Sequence, residues 1–107
     1  MAITNKRLTS TTAANVLYST ASASKAVTAI YLCNVSGTAV TANVYVVPAA
    51  LNGTDIGNCV IYSNVTIASF DSYIADSERL ILEAGDSIWA NCSVANGVVM
   101  TISSVGI

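Results

Sequence analysis

Histidine is absent from this 107-residue sequence, and its absence excludes several kinds of active site. Serine and cysteine nucleophiles are usually activated by a neighbouring imidazole, and imidazole is also a common zinc ligand. The six acidic residues are enough to imagine a glycosidase pair, but a chain of this length has little room for a substrate cleft. We therefore predict that the protein is not an enzyme and that it binds no metal or cofactor.

Cysteine is scarce, and its three copies show no chemical pattern. Cys33, Cys59 and Cys92 lie far apart, each in an apolar stretch, and no two of them form a C-x-x-C pair. A thiol in such surroundings behaves as a small hydrophobic side chain. We predict three buried structural thiols, and the sequence leaves open a disulfide bond between two of them.

Charged residues make up only 9% of the chain, whereas an average soluble domain has about 25%. The four Lys and Arg residues are too few and too dispersed to neutralise a run of phosphates, so we expect no nucleic-acid binding. Hydrophobic residues make up 53%, which is more than a domain of this size readily hides. This composition predicts a subunit that buries surface against other protein; a free monomer covered with Ser, Thr and Asn is the alternative.

Long apolar runs are missing as well. No segment approaches the roughly 18 consecutive apolar residues of a membrane span, and residues 1–8 are not followed by the apolar core of a signal peptide. We therefore expect no membrane association and synthesis in a cytosol-like compartment. The four N-x-S/T sequons are then chance products of composition; they begin at Asn34, Asn52, Asn64 and Asn91.

What the sequence does contain is a series of short runs, rich in β-branched and aromatic residues, in which side chains alternate. In the runs 40–47 and 87–94 the even-numbered residues are apolar and share one face. Such runs, separated by turn residues, predict an all-β fold, an antiparallel β-sandwich of the jelly-roll type. The predicted strands cover 27–33, 40–47, 59–62, 65–70, 87–94 and 98–105.

Glycine and asparagine mark the turns between these runs. Asn96-Gly97 is a hairpin signal, so we expect the last two strands to pair directly. At Gly85 we expect a left-handed backbone conformation, with Asp86 capping the turn through nearby amide groups. The stretch 48–58, which contains the single proline, is predicted to be a crossing loop, and residues 76–79 a short helical turn or an exposed corner.

The first 24 residues differ in composition from the rest. They are mostly small and polar, with Val16-Leu17-Tyr18 as an apolar island. Two interpretations are open: an extended N-terminal arm that pairs with a neighbouring subunit, or a first strand of the same sheet followed by a loop. We accordingly divide the chain into residues 1–24 and a β-sandwich domain at residues 25–107.

Three segments resemble a known group of proteins: VTAIYLCN at 27–34, VTANVYVVP at 40–48, and ERLILEAGDSI with ANCSVAN between 78 and 96. This pattern resembles small virion structural proteins of tailed bacteriophages, especially cyanophages. The resemblance implies a β-sandwich subunit located in the virion and made in the host cytoplasm. The resemblance does not choose between the head and the neck, tail or fibres. Because a compact domain with a low-charge surface suits a cement subunit, we expect an oligomeric capsid decoration (cement) protein that stabilises the shell. The alternative is a neck, tail, baseplate or fibre component, for which binding of host surface glycan is one open role.

Four residues are candidates for the contacts of such a subunit with its expected partners, which are further copies of itself, with a trimer favoured, and the major capsid protein. Tyr45 and Trp89 fall on the more polar faces of their strands, where aromatic side chains serve as interface anchors or pack within the sheet. Lys6 and Arg7, near the N-terminus, are placed to meet an acidic patch on a shell protein or to form solvated surface.

Overall fold

The structure of the chain, a computed structural model, describes residues 2–8, 13–18, 24–51, 56–75 and 80–106. These residues form nine β-strands and two short 3₁₀ turns, the latter at Ala49–Leu51 and Ile56–Asn58. The strands are β1 (Ala2–Leu8), β2 (Ala14–Tyr18), β3 (Lys25–Asn34), β4 (Val40–Val47), β5 (Val60–Ile67), β6 (Ser72–Ala75), β7 (Leu80–Leu82), β8 (Ser87–Cys92) and β9 (Val98–Gly106). The turn expected within 76–79 lies outside the described residues.

The strands form two antiparallel sheets. Sheet A has the order β1-β9-β3-β6, with β7 also paired to β3, and sheet B has the order β2-β8-β4-β5. Since β6 and β7 share the position beside β3, there are eight strand positions, and consecutive strands repeatedly change sheet. This is the connectivity of a jelly roll. The predicted all-β, jelly-roll-like sandwich is confirmed.

The hydrophobic core lies between the inner faces of the two sheets. Strand β9 buries every second residue over Val98–Ser104, as an alternating strand with one face on the core should. The alternation predicted for β4 holds along the strand: Val40, Ala42 and Val44 are buried in the core, and half-buried Val46 packs against it opposite Ile88. Val47, the register partner of Ser87, is also buried.

The last two strands do not pair with each other, so the hairpin predicted at Asn96-Gly97 is wrong. Strand β8 pairs within sheet B and β9 within sheet A. Asn96 does adopt a left-handed φ of 64°, but the turn carries the chain between sheets. Its amide donates to the Leu8 carbonyl at 2.8 Å, and the Gly97 carbonyl accepts from the Val35 amide at 2.9 Å. Val94, predicted to lie on the buried face, is in this corner and 41% exposed.

The N-terminal segment contributes an edge strand to each sheet. Strand β1 pairs with β9 along its whole length, and β2 pairs with β8. Leu8 and Val16 are buried in the common core. The predicted boundary after residue 24, and an exchange of this segment between subunits, stay predictions.

Asp86 stabilises the turn between β7 and β8 by accepting two hydrogen bonds from backbone amides. Its Oδ2 accepts from the Glu83 amide at 3.0 Å, and its Oδ1 accepts from the Ala49 amide at 2.9 Å, in the 3₁₀ turn that follows β4. Gly85, beside it, has a φ of 89°. The left-handed glycine and the capping role of Asp86 are thus both confirmed.

Replacing this glycine should destabilise the fold. In Gly85→Ala, the new Cβ would lie 2.7 Å from the Ala49 Cβ, in a backbone conformation that side chains rarely adopt. We expect the free energy of unfolding to fall by roughly 2–3 kcal/mol, since the left-handed conformation alone costs about 1–2 kcal/mol. Urea and thermal unfolding measure the effect.

The matched control is Gly57→Ala, where an added Cβ meets nothing within 4 Å. Combining Gly85→Ala with Ala49→Gly should recover the part of the loss that comes from the close contact. An unchanged melting temperature for Gly85→Ala would contradict this account of the corner.

Candidate functional site

The two aromatic residues singled out in the sequence lie side by side on the outer face of sheet B. Tyr45 on β4 and Trp89 on β8 are direct register partners, and both are half-buried. The Trp89 indole N–H donates to the Ser87 hydroxyl at 2.8 Å. The structure therefore brings these two candidates together, and their use in an interface stays a prediction.

A ladder of amide side chains lies on the same face. Asn43 Nδ2 donates to Asn91 Oδ1 at 2.9 Å, and the Tyr45 hydroxyl donates to that oxygen at 3.3 Å. The Asn43 Oδ1 accepts from the backbone amide of Asn64 at 2.8 Å. The ladder thus links β8, β4 and β5, and two of the sequon asparagines belong to it.

Lys6 and Arg7 belong to the other sheet and lie on opposite faces of edge strand β1. Lys6 is the register partner of buried Met100, whereas Arg7 is the partner of Val99 on the outer face. The Arg7 Nε donates to the Asn96 carbonyl at 3.0 Å. The four candidate interface residues therefore do not form one site. Positive charges on an exposed edge strand also discourage unwanted pairing with a strand of another protein chain.

The surface that sequence reasoning missed is the outer face of sheet A, called here the apolar face. Its most exposed large side chains are Ile3 at 69%, Ile81 at 58%, Ile74 at 52% and Tyr31 at 39%. Tyr31 and Ile74 are direct register partners across β3 and β6. Among the described strand residues that face outward on sheet A, Arg7 alone carries a charge.

A second exposed feature is the turn between β5 and β6, which presents the chain's single phenylalanine. Phe70 is 73% exposed, and its φ of 56° lies in the left-handed region that bulky residues rarely occupy. The Asp71 amide donates to the Ala68 carbonyl at 3.0 Å, and the Asp71 carbonyl accepts from the Asn34 amide at 2.8 Å. The turn is therefore tied to the end of β3.

Asn34 fixes this turn through a fully buried side chain. Its Nδ2 donates to the carbonyls of Thr38, Ile67 and Ala68 at 2.8, 3.0 and 3.1 Å. Its Oδ1 accepts from the Ser36 amide at 2.8 Å. One side chain thus joins the loop after β3 to the turn that carries Phe70, which is a structural role for a sequon asparagine.

A cavity of about 260 Å³, called here the edge cavity, lies between the sheets where β5 faces β6 and β7. Tyr62, on its wall, packs edge-to-face on Tyr73 with ring centroids 5.8 Å apart. Ile61, also on its wall, is 41% exposed, so the cavity is reached from solvent. The described lining residues are Val27, Ile30, Ile61, Tyr62, Ala75 and Leu80.

Groups with catalytic or metal-binding chemistry do not converge in the part of the chain that the structure describes. There, no three His, Cys, Asp or Glu residues lie close enough together to hold a metal ion. The three cysteines are free thiols. Cys92 is buried and donates to the Val94 carbonyl at 2.9 Å, whereas Cys33 and Cys59, predicted to be buried, are half-buried.

Comparison with known proteins adds no relative. Neither a scan against models of protein families nor a search of curated protein sequences finds a match to this chain. Within the described residues, no helix has the length and apolar character needed to cross a membrane.

Removing the Asn34 side chain should cost stability well beyond that of an average polar substitution. Asn34→Ala removes a fully buried side chain and leaves three carbonyls and one amide without their side-chain partner, and the bond to the Ile67 carbonyl among them is buried. We expect a loss of roughly 2–4 kcal/mol in unfolding free energy, measured in urea.

Asn58→Ala, at an exposed position, serves as the control and should change stability by no more than about 0.5 kcal/mol. Equal losses of unfolding free energy for Asn34→Ala and Asn58→Ala would show that the Asn34 hydrogen bonds do not stabilise this end of the sandwich.

Proposed function

We propose that this chain is a non-enzymatic structural subunit of a tailed-phage virion, a capsid decoration protein that forms a small homo-oligomer and packs against the major capsid protein. The phage assignment follows from the resemblance of segments between residues 27 and 96 to virion proteins. The structural observation that supports a contact with other protein is the apolar face, where Ile3, Ile74, Ile81 and Tyr31 are exposed on one side of a jelly roll. Large exposed apolar side chains on one face favour a contact with another protein.

The size of the molecule suits such a contact. Its dimensions are 41 × 28 × 20 Å, and sheet faces form the broad sides of a sandwich. A stable protein interface buries about 800 Å² on each partner, which fits within one broad side. The apolar face therefore has room for a complete interface.

Apolar contact also explains how the subunit would bind with so few charges. With a net charge of −2 and Arg7 as the single described charge on the apolar face, ion pairs contribute little to this contact. Salt weakens interactions between exposed charges but not the burial of apolar surface. Retention on particles washed in about 1 M salt is therefore expected, where the Debye length is about 3 Å.

A neck, tail, baseplate or fibre component that binds host surface glycan is the second candidate. The outer face of sheet B favours it, because Tyr45 and Trp89 combine flat apolar surface with the neighbouring amides of Asn43 and Asn91. Those amides already bond to each other, so a sugar would have to compete with the ladder. This candidate therefore ranks behind the decoration role.

Immunogold labelling of intact virions with an antibody against the chain tests the proposal directly. Gold over the head supports the decoration role. Gold confined to the neck, tail or fibres supports the second candidate. Particles without label, from infected cells that contain the chain, contradict both.

Substitutions on the apolar face should weaken particle binding without unfolding the subunit. Ile74→Ser and Ile81→Ser each remove an exposed apolar side chain, so the melting temperature should stay within a few degrees of wild type. We expect each to weaken attachment to shells lacking the subunit by about tenfold, as judged from the amount that co-sediments.

The matched control is Val94→Ser, which changes an exposed apolar side chain in the corner between β8 and β9. It should leave attachment unchanged. If all three variants attach as well as wild type, the apolar face is not the docking surface.

A further inference from the structure

We infer that Phe70 of one copy inserts into the edge cavity of the next copy, so that copies of this chain join head to tail. The inference rests on the homo-oligomer included in the proposed function and names the contact that builds it.

Phe70 has the properties of an anchor residue. An aromatic ring that is 73% exposed leaves a large apolar surface in water, and aromatic anchors carry much of the binding energy at interfaces. The backbone beneath it is tied down, because Asn34 binds the carbonyls of Ile67 and Ala68 from a fully buried position. A backbone that is fixed in advance reduces the conformational entropy lost on binding.

The edge cavity has the properties of a receiving site for a phenyl ring. Its volume is about 260 Å³, and an apolar cavity of about 150 Å³ is already large enough to hold benzene. Its described lining consists of aliphatic side chains and one tyrosine, so none of the described lining residues carries a charge. Val60, the neighbour of Ile61 in β5, is also exposed.

The ring and the cavity of one chain cannot meet each other. Ile61 and Tyr62 lie at the beginning of β5, whereas Phe70 follows its end at Ile67. At about 3.3 Å per residue, the strand separates them by roughly 16–20 Å, which is farther than one side chain reaches. Phe70 can therefore enter only the cavity of another copy.

A contact between two different patches of identical chains is heterologous and repeats from copy to copy. It closes into a ring when the rotation between neighbours allows, and otherwise it continues as a filament. A closed ring of few members agrees with the trimer favoured from the sequence. The low charge of the chain adds little repulsion between neighbours.

The first test changes each side of the contact separately. Phe70→Asn removes the ring and places at φ 56° a residue that tolerates this conformation, so the fold should keep or raise its melting temperature. Ala75→Phe fills the edge cavity from its own wall; if this variant fails to fold, Leu80→Phe blocks the same space. In sedimentation velocity, wild type should be a small oligomer, and each variant should associate about 100-fold more weakly.

The decisive test mixes the two variants. Phe70→Asn keeps the cavity, and Ala75→Phe keeps the anchor, so an equimolar mixture should form one-to-one pairs and nothing larger. Each of these results would overturn the inference: a monomeric wild type, an oligomer that survives Phe70→Asn, or a mixture that stays monomeric.

This experiment can fail independently of the proposed function. Ile74→Ser lies on the apolar face, and it should self-associate like wild type while attaching poorly to shells. Phe70→Asn should lose the oligomer while a single subunit keeps its apolar face. If Phe70→Asn abolishes self-association while its single subunits still attach to shells, attachment does not depend on the self-contact, and the decoration role is supported separately.

Discussion

In the central strands β4, β8 and β9 alternate side chains enter one apolar layer between two sheets, and the rest of this structure depends on that constraint. The layer is filled from both sides by Val, Ala, Ile, Leu, one Cys and one Met. Because the inner faces are fully specified by packing, the outer faces are free to differ. Sheet B carries amides and two aromatic residues outside, whereas sheet A carries isoleucines. The fold does not require this difference, so the difference is informative about function.

The second requirement is that backbone groups keep hydrogen-bond partners where the chain crosses from one sheet to the other. Backbone amides and carbonyls in these turns are not paired with a neighbouring strand, so they need other partners if they are shielded from water. Here Asn34, Asp86 and Arg7 supply them, each by bonding to backbone amides or carbonyls. Within the described residues, no buried side-chain nitrogen or oxygen lacks a hydrogen-bond partner. Asn34, Asp86 and Arg7 therefore stabilise the turns at the ends of the sandwich through long-range hydrogen bonds to the backbone.

The sequence predicts strands β3, β4, β8 and β9 and the fold class because period-two alternation and turn residues are local signals. The two strands predicted at 59–62 and 65–70 are instead the single strand β5. Gly85 and Asp86 were predictable for the same reason, since a left-handed turn and its cap involve neighbouring residues. Asn96 shows the limit: its left-handed conformation is local, but the turn leads to the other sheet, and nothing in two residues specifies which strand pairs next.

Surface assignments depend on longer-range information. The runs Ser72–Ala75 and Leu80–Leu82 are too short to show an alternation, so their outward-facing isoleucines could not be separated from core residues. Phe70 ends a predicted strand in the sequence, whereas in the structure it lies on a turn in a rare conformation. The edge cavity is lined by β3 together with β5, β6 and β7, which follow it in the sequence only after β4, and no local pattern indicates that these strands meet.

The proposed self-contact and the proposed docking surface use different parts of the molecule, and this separation has a physical consequence. The edge cavity lies between the sheets beside β5, while Ile3, Ile74 and Ile81 face outward from sheet A. Ala75 and Leu80 line the cavity from β6 and β7, whereas Ile74 and Ile81 face outward from the same two strands. A ring built through Phe70 would therefore leave these outward isoleucines open to a second partner, and rotational symmetry would give the apolar faces of all members the same orientation relative to the ring axis. Several modest apolar contacts then act together, and linked contacts bind far more tightly than any one alone. Oligomerisation would in this way compensate for the small area and low charge of a single 107-residue subunit.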